Sequence, residues 1–198
     1  MTSIEYNPRT ALLVVDLQED FASPNGSLYV PGGDEVLSAI NPEILRAREA
    51  GALVVFTQDW HPPETPHFAR DGGTWPVHCV RDTPGAELLV GIERDESDTV
   101  IRKGTGGEDG YSAFSVRDAT TGEVSETALD GLLEHRRILR VIIAGLATDY
   151  CVRDSALDAA RLGYETWVIT SACRAVDLQP GDGDRALATI AAAGVTLV

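Results

Sequence analysis

Short β-branched apolar runs that return regularly, separated by helix-like stretches, restrict this chain more than any other feature. ALLVVDL (11–17), ALVVFTQ (52–58), TVIRK (99–103), LRVIIAG (139–145) and ETWVITS (165–171) read as strands, with VTLV (195–198) as a sixth. Continuous apolar runs of this length suit strands buried on both faces. Helical spacing fills most of the intervals, over 34–51, 125–137, the segment after Cys151, and 183–194. This alternation predicts an α/β fold, a three-layer sandwich with a mostly parallel sheet of about six strands and helices on both faces. Pro42 predicts a break or a new start inside the first helical stretch. With 198 residues, 43% of them hydrophobic, the chain suffices for one well-buried core and is short for two, so residues 1–198 are expected to form a single domain.

The charge balance narrows the partners. Thirty-one acidic against 16 basic side chains leave a net charge of −15 with no basic stripe, which argues against nucleic acid or an anionic membrane and makes a neutral small molecule the easier ligand. No stretch approaches the roughly 18–20 apolar residues of a membrane span, and MTSIEYNPRT lacks the basic and apolar regions of a signal peptide. A cytoplasmic protein is expected. Cys79, Cys151 and Cys173, far apart in sequence, suggest reduced thiols rather than a disulfide framework.

The stretch VIIAGLATDYCVRDSALDAARLGY (141–164) carries the strongest chemical signal. A buried strand closed by Gly145 runs into a helix that Thr148 or Asp149 is placed to cap and Gly163 to stop. Cys151 then falls in the first helical turn, where free N–H groups and the helix dipole favour a thiolate and a developing oxyanion. A buried structural cysteine is the plain alternative. In an open parallel sheet, ligands bind outside the carboxyl ends of the strands. Asp16, Asp59, His61, Lys103 and Cys151 all lie at or just after such ends, so they should meet along one edge. Asp16 would serve as a proton acceptor whose pKa burial must raise, Lys103 as the cation that balances and orients it, and Cys151 as the nucleophile. Read singly, Asp16 is a turn cap and Lys103 a solvated strand end.

Three of the four histidines, His61, His67 and His78, share the window DWHPPETPHFARDGGTWPVHCV with Asp59. Imidazole and carboxylate donors in this density read as a site for one divalent metal, Zn, Fe or Mn, in preference to the plain alternative of polar loop residues scattered on the surface. Cys79 is a rival ligand that adjacency to His78 disfavours. His135, in LLEHRR, reads as a solvated residue near a helix end. Phe21 and Trp75 flank these groups and are candidates to stack on a flat ring, as is Tyr111 on weaker grounds. The irregular stretches 59–97 and 104–124 are long enough to be functional.

Taken in order, VVDLQEDF, TQDWHPPETPH, WPVHCV, IRKG and GLATDYCVRDSALDA resemble the nicotinamidases among the isochorismatase-like cysteine hydrolases. RDTPGAEL (81–88) extends the likeness, which runs from Asp16 to about Gly163. The resemblance implies a triad of Asp16, Lys103 and Cys151. It implies metal ligation by Asp59, His61 and His78, with His67 as a fourth ligand acting directly or through water, and ring contacts from Phe21 and Trp75. It also implies a cis peptide between Leu146 and Ala147, with the Ala147 and Cys151 N–H groups as oxyanion hole. The implied reaction is hydrolysis of nicotinamide, and of relatives such as pyrazinamide, within NAD salvage, by an enzyme of a kind that often forms homo-oligomers. Tyr150 stands where some members carry histidine, and the loop SPNGSLYVPGG (23–33) varies in length among them. Two rival readings are a related amidohydrolase for carbamoyl or ureido substrates, and a non-catalytic metal-binding or thiol redox protein.

Overall fold

A computed structural model describes residues 4–198. Its centre is a six-stranded sheet in the order β3-β2-β1-β6-β7-β8. The strands are β1 (Thr10–Val15), β2 (Leu53–Asp59), β3 (Thr99–Lys103), β6 (Arg140–Leu146), β7 (Glu165–Arg174) and β8 (Thr196–Leu197), and every pairing between them is parallel. Each of the six apolar runs therefore supplies one strand. β1 is buried along its whole length, because alternate residues enter two different cores. Leu12 and Val14 join the core covered by α2 (Leu37–Glu49) through Ile40, Ile44 and Ala47. Ala11, Leu13 and Val15 join the opposite core, which contains Leu129 and Leu133 of α3 (Leu129–His135), Ala156 and Ala159 of α4 (Arg153–Arg161) and Ile190 of α5 (Asp182–Ala192). Helices thus cover both faces, as the alternation predicts. A four-residue helix, α1 (Glu19–Ala22), follows β1, and no helix among the described residues is long and apolar enough to cross a membrane.

Four local expectations are corrected. Pro42 neither breaks nor restarts α2, which runs through it without interruption. The buried Ile40, Ile44 and Ala47 on either side hold the turn, so tertiary packing overrides local preference. Gly145 does not close its strand. β6 continues to Leu146, with a register irregularity against β7 between Ile143 and Gly145. Neither Thr148 nor Asp149 caps a helix: the chain enters a π-helical turn over Thr148–Val152, preceded by Ala147, and α4 begins at Arg153. The Asp149 carboxylate instead accepts hydrogen bonds from the Val176 and Asp177 N–H groups, both at 2.9 Å, and so ties the turn to the loop after β7. Finally, the irregular stretch 104–124 holds part of a small antiparallel hairpin, β4 (Ser115–Arg117) with β5 (Val124–Glu126), whose strand residues the sequence did not single out.

Candidate active site and metal centre

Sheet order brings the sequence-distant groups together. After β1 the chain builds β2 and β3 on one side, then crosses to build β6, β7 and β8 on the other. The crevice at such a switch point is where open parallel sheets bind ligands. Asp16 follows β1, Asp59 ends β2, Lys103 ends β3 in register with Asp59, and Cys151 lies in the turn after β6.

At the centre is the Lys103 ammonium, fully buried. It donates to Asp16 Oδ2 at 2.7 Å, to Asp59 Oδ1 at 2.7 Å and to the Gly110 carbonyl, and it lies 3.7 Å from Cys151 Sγ. Two carboxylates and a thiol around one cation form an ion-paired cluster. Although the ligand atoms of Asp16, Asp59 and Cys151 lie within 4.8 Å of one another, the ammonium among them occupies the position a metal would need.

Asp16 sits at φ 46° and is held by Thr57, whose hydroxyl donates to Oδ1 at 2.5 Å and accepts from the Asp16 N–H at 3.0 Å. Burial pushes its carboxyl up to about 6, against the downward pull of the Lys103 ammonium. A raised carboxyl of this kind is what a proton acceptor here would need, and burial is its dominant cause. For Asp59 burial acts in the same upward direction, but Lys103, His61 and His78 outweigh it and hold the carboxyl below its ordinary value. Lys103 keeps its charge because Asp16 and Asp59 overcome the opposing effect of burial. The Cys151 thiol is pushed well up, by burial first, with Lys103 opposing. Burial thus works against the thiolate that a helix start would favour, and leaves the sulfur dependent on a neighbouring proton acceptor.

Asp59 joins this cluster to the histidines. Its Oδ1 receives Lys103, while Oδ2 stands 3.8 Å from His61 Nε2 and 4.0 Å from His78 Nε2. His61, His67 and His78 converge, each with a ligand atom within 4.8 Å of the others. Their donor atoms are left available for one purpose. His78 Nδ1 donates to the Pro76 carbonyl at 2.7 Å, and His67 Nδ1 meets Asp109 Oδ1 at 2.5 Å, which leaves Nε2 free on both rings. Among the described residues neither ring nitrogen of the fully buried His61 has a hydrogen-bond partner, and burial lowers this imidazole to about 3, so the ring stays neutral with one nitrogen lone pair free to ligate. Burial lowers His78 as well. Orphaned buried imidazole nitrogens facing a carboxylate oxygen are what a divalent ion would satisfy. Gly104 leaves room for this ring, because a Cβ there would lie 2.6 Å from His61 Cε1. Cys79 does not face the cluster. Its sulfur contacts the Gly85 carbonyl at 3.9 Å, and its N–H donates to Asp20.

A cavity of about 390 Å³, counting its open mouth, lies between the two clusters, with Phe21, Trp75, Tyr111, Ala147 and Cys151 on its wall. All three aromatic candidates therefore face one space. Trp75 Nε1 donates to the Tyr111 hydroxyl at 2.7 Å, and the Phe21 ring lies 5.3 Å from that of His78. The Leu146–Ala147 peptide is cis. His135 is exposed at the end of α3, as expected.

Several contributors were not among the candidate site residues. Tyr150 packs edge-on against Trp75 at 4.9 Å, and Leu28, Val30 and Val176 complete the apolar wall from irregular segments. Gln18 is buried and locks Asp59 in place, accepting from its N–H and donating to its carbonyl, both at 2.8 Å. Tyr150 next to Cys151 and Gln18 two residues after Asp16 were the signals visible in the chain. Leu28, Val30 and Val176 are ordinary apolar residues in loops and carried none.

Residues 10–198 match the isochorismatase domain model. The chain belongs to the isochorismatase family. Within that family it is 39% identical to the nicotinamidase of Escherichia coli (strain K12) over 206 residues, covering 96% of this chain and 94% of the relative. The zinc complex of Pyrococcus horikoshii pyrazinamidase superposes with a TM-score of 0.86 at 40% identity, over 96% of this chain and 99% of that one. PnC1 from L. infantum in complex with nicotinate gives a TM-score of 0.89 at 34% identity, over 100% and 96% of the two chains. These isochorismatase-family likenesses extend over nearly the whole chain.

Proposed function

We propose that this chain is a metal-dependent nicotinamidase, converting nicotinamide and water to nicotinate and ammonia through a Cys151 thioester. The observation that carries the reading is the Lys103 ammonium clasped by Asp16 and Asp59, 3.7 Å from Cys151 Sγ, beside the histidine cluster. A relative of high coverage named nicotinamidase, a pyrazinamidase in complex with zinc and PnC1 in complex with nicotinate support the substrate class.

Ionised Asp16 takes the Cys151 thiol proton as sulfur attacks the amide carbon. The Ala147 and Cys151 N–H groups receive the oxyanion. Protonated Asp16 returns its proton to the amide nitrogen as the C–N bond breaks, which releases ammonia and leaves a thioester. A water then gives its proton to Asp16 while attacking the thioester carbon, and the cysteine departs with that proton as a thiol. Lys103 stays charged throughout and holds Asp16 in line. Asp59, His61, His78 and His67 would hold a divalent ion that supplies a Lewis-acid anchor for the pyridine nitrogen when bound. Phe21 and Trp75 enclose the ring, with Tyr111 fixing the Trp75 indole.

Ammonia release from nicotinamide by the metal-loaded protein, before and after chelation, tests this. Release that falls on chelation is expected. A folded, loaded protein that releases none would redirect the search to carbamoyl or ureido substrates. Cys151→Ala should cut turnover on the order of 10⁴-fold or more with metal content unchanged; turnover near the parent level would remove Cys151 from the nucleophile role.

A further inference from the structure

Asp109 lies 42 positions from His67 in sequence, yet its Oδ1 meets His67 Nδ1 at 2.5 Å. His67 is 4% exposed and the Asp109 side chain 24%, so the contact sits at the inner edge of the protein surface, largely away from solvent. Asp109 is not a loosely held surface acid. Its N–H donates to the Arg117 carbonyl at 2.7 Å and its carbonyl accepts from the Arg117 N–H at 2.9 Å, which pins it to β4. Two residues before it, the Gly107 carbonyl accepts from Thr65 Oγ1 at 2.7 Å, and Thr65 Oγ1 accepts from the His67 N–H at 3.2 Å. Both the ring and the backbone of His67 are therefore braced by the same segment.

A carboxylate only accepts, so the proton shared in this contact belongs to Nδ1 and the lone pair to Nε2, the atom left for the metal cluster. Carboxylates that hold a ligating imidazole in this way fix its tautomer and raise its basicity. We propose that Asp109 is a positioning residue that makes His67 a direct Nε2 ligand of the metal rather than a ligand through water. The two following residues give the segment a wider role: the Gly110 carbonyl accepts from Lys103 Nζ, and the Tyr111 hydroxyl from Trp75 Nε1. Three successive residues thus touch the metal cluster, the catalytic lysine and the ring wall, and the first of them is tied to β4.

This inference rests on the metal site of the proposed function, and its test is read without substrate. The zinc-loaded full-length protein is titrated against a chromogenic chelator, and the cobalt(II)-substituted protein is examined by visible absorption. Asp109→Ala is expected to weaken zinc binding about 10- to 100-fold and to change the cobalt spectrum as His67→Ala does. Asp109→Asn, whose amide oxygen can still accept from Nδ1–H, should retain most of the affinity and provides the comparison if the alanine variant fails to fold. In the His67→Ala background, Asp109→Ala should cost nothing further, because both act through one ligand. The proposal is overturned if zinc affinity and the cobalt spectrum are unchanged in Asp109→Ala, if the asparagine variant loses as much as removal of His67, or if the two alanine changes add in full. Failure to hydrolyse nicotinamide with these metal effects intact would overturn the proposed function and leave Asp109 in its role.

Discussion

A single buried ammonium sets the chemistry of this site. Lys103 balances two carboxylates that could not otherwise both stay ionised so close together, and it leaves Asp16 with a pKa raised to about 6 by burial. Asp16 must be ionised to accept the thiol proton, so kcat/KM should rise with pH through about 6 and fall on its acid side. The Thr57 hydroxyl, 2.5 Å from Asp16 Oδ1, favours the charged form. Thr57→Val should therefore move the acid limb upward by about one pH unit. A pH–rate profile of both proteins measures the shift, and an unmoved limb would take Asp16 out of the rate-determining ionisation.

Local backbone decides how far β6 runs towards the site and how well α2 closes its turns. Gly145, at φ 124°, lets β6 run on to Leu146 and deliver the π-helical turn that carries Cys151. A Cβ at this position would lie 2.1 Å from the Val15 carbonyl oxygen, in a backbone that cannot retreat from the sheet. Gly145→Ala should destabilise the fold by about 4 kcal/mol or more, combining a conformational and a steric penalty, as read by urea unfolding. Pro42 offers the opposite case. It lies inside a continuous α2, where its missing N–H leaves a turn unclosed. An interior proline costs about 3 kcal/mol relative to alanine, of which about 1 kcal/mol is recovered through a less flexible unfolded chain. Pro42→Ala should stabilise the protein by about 1–2 kcal/mol in the same assay.

Across the molecule, the buried imidazoles tie stability to metal. Burial lowers His61 and His78, and His61 has no hydrogen-bond partner among the described residues, so an ion that binds only the folded state should raise its stability. Free zinc at about 100 times its dissociation constant contributes about 2.7 kcal/mol. The melting temperature should climb with zinc and fall on chelation, and a melting curve blind to both would refute the metal site. Much of this organisation was legible in the chain. Six apolar runs specified six strands, most plainly β1, β2 and β6, which are buried on both faces and so need apolar residues at nearly every position, and the strand ends then marked Asp16, Asp59, Lys103 and Cys151 as neighbours-to-be. Local chemistry was less reliable: packing carries α2 through Pro42, the π-helical turn leaves Thr148 without a capping role, and the Val176 and Asp177 N–H groups claim the Asp149 carboxylate. Residue type and strand order could nominate the donors. Which oxygen of Asp59 meets Lys103 and which faces the histidines, and the pairing of His67 with Asp109 from a segment 42 positions away, arose only in three dimensions. Hydrophobic periodicity is a local property written along the chain, whereas the partner of a buried polar atom is whichever group the completed fold leaves within about 3 Å of it.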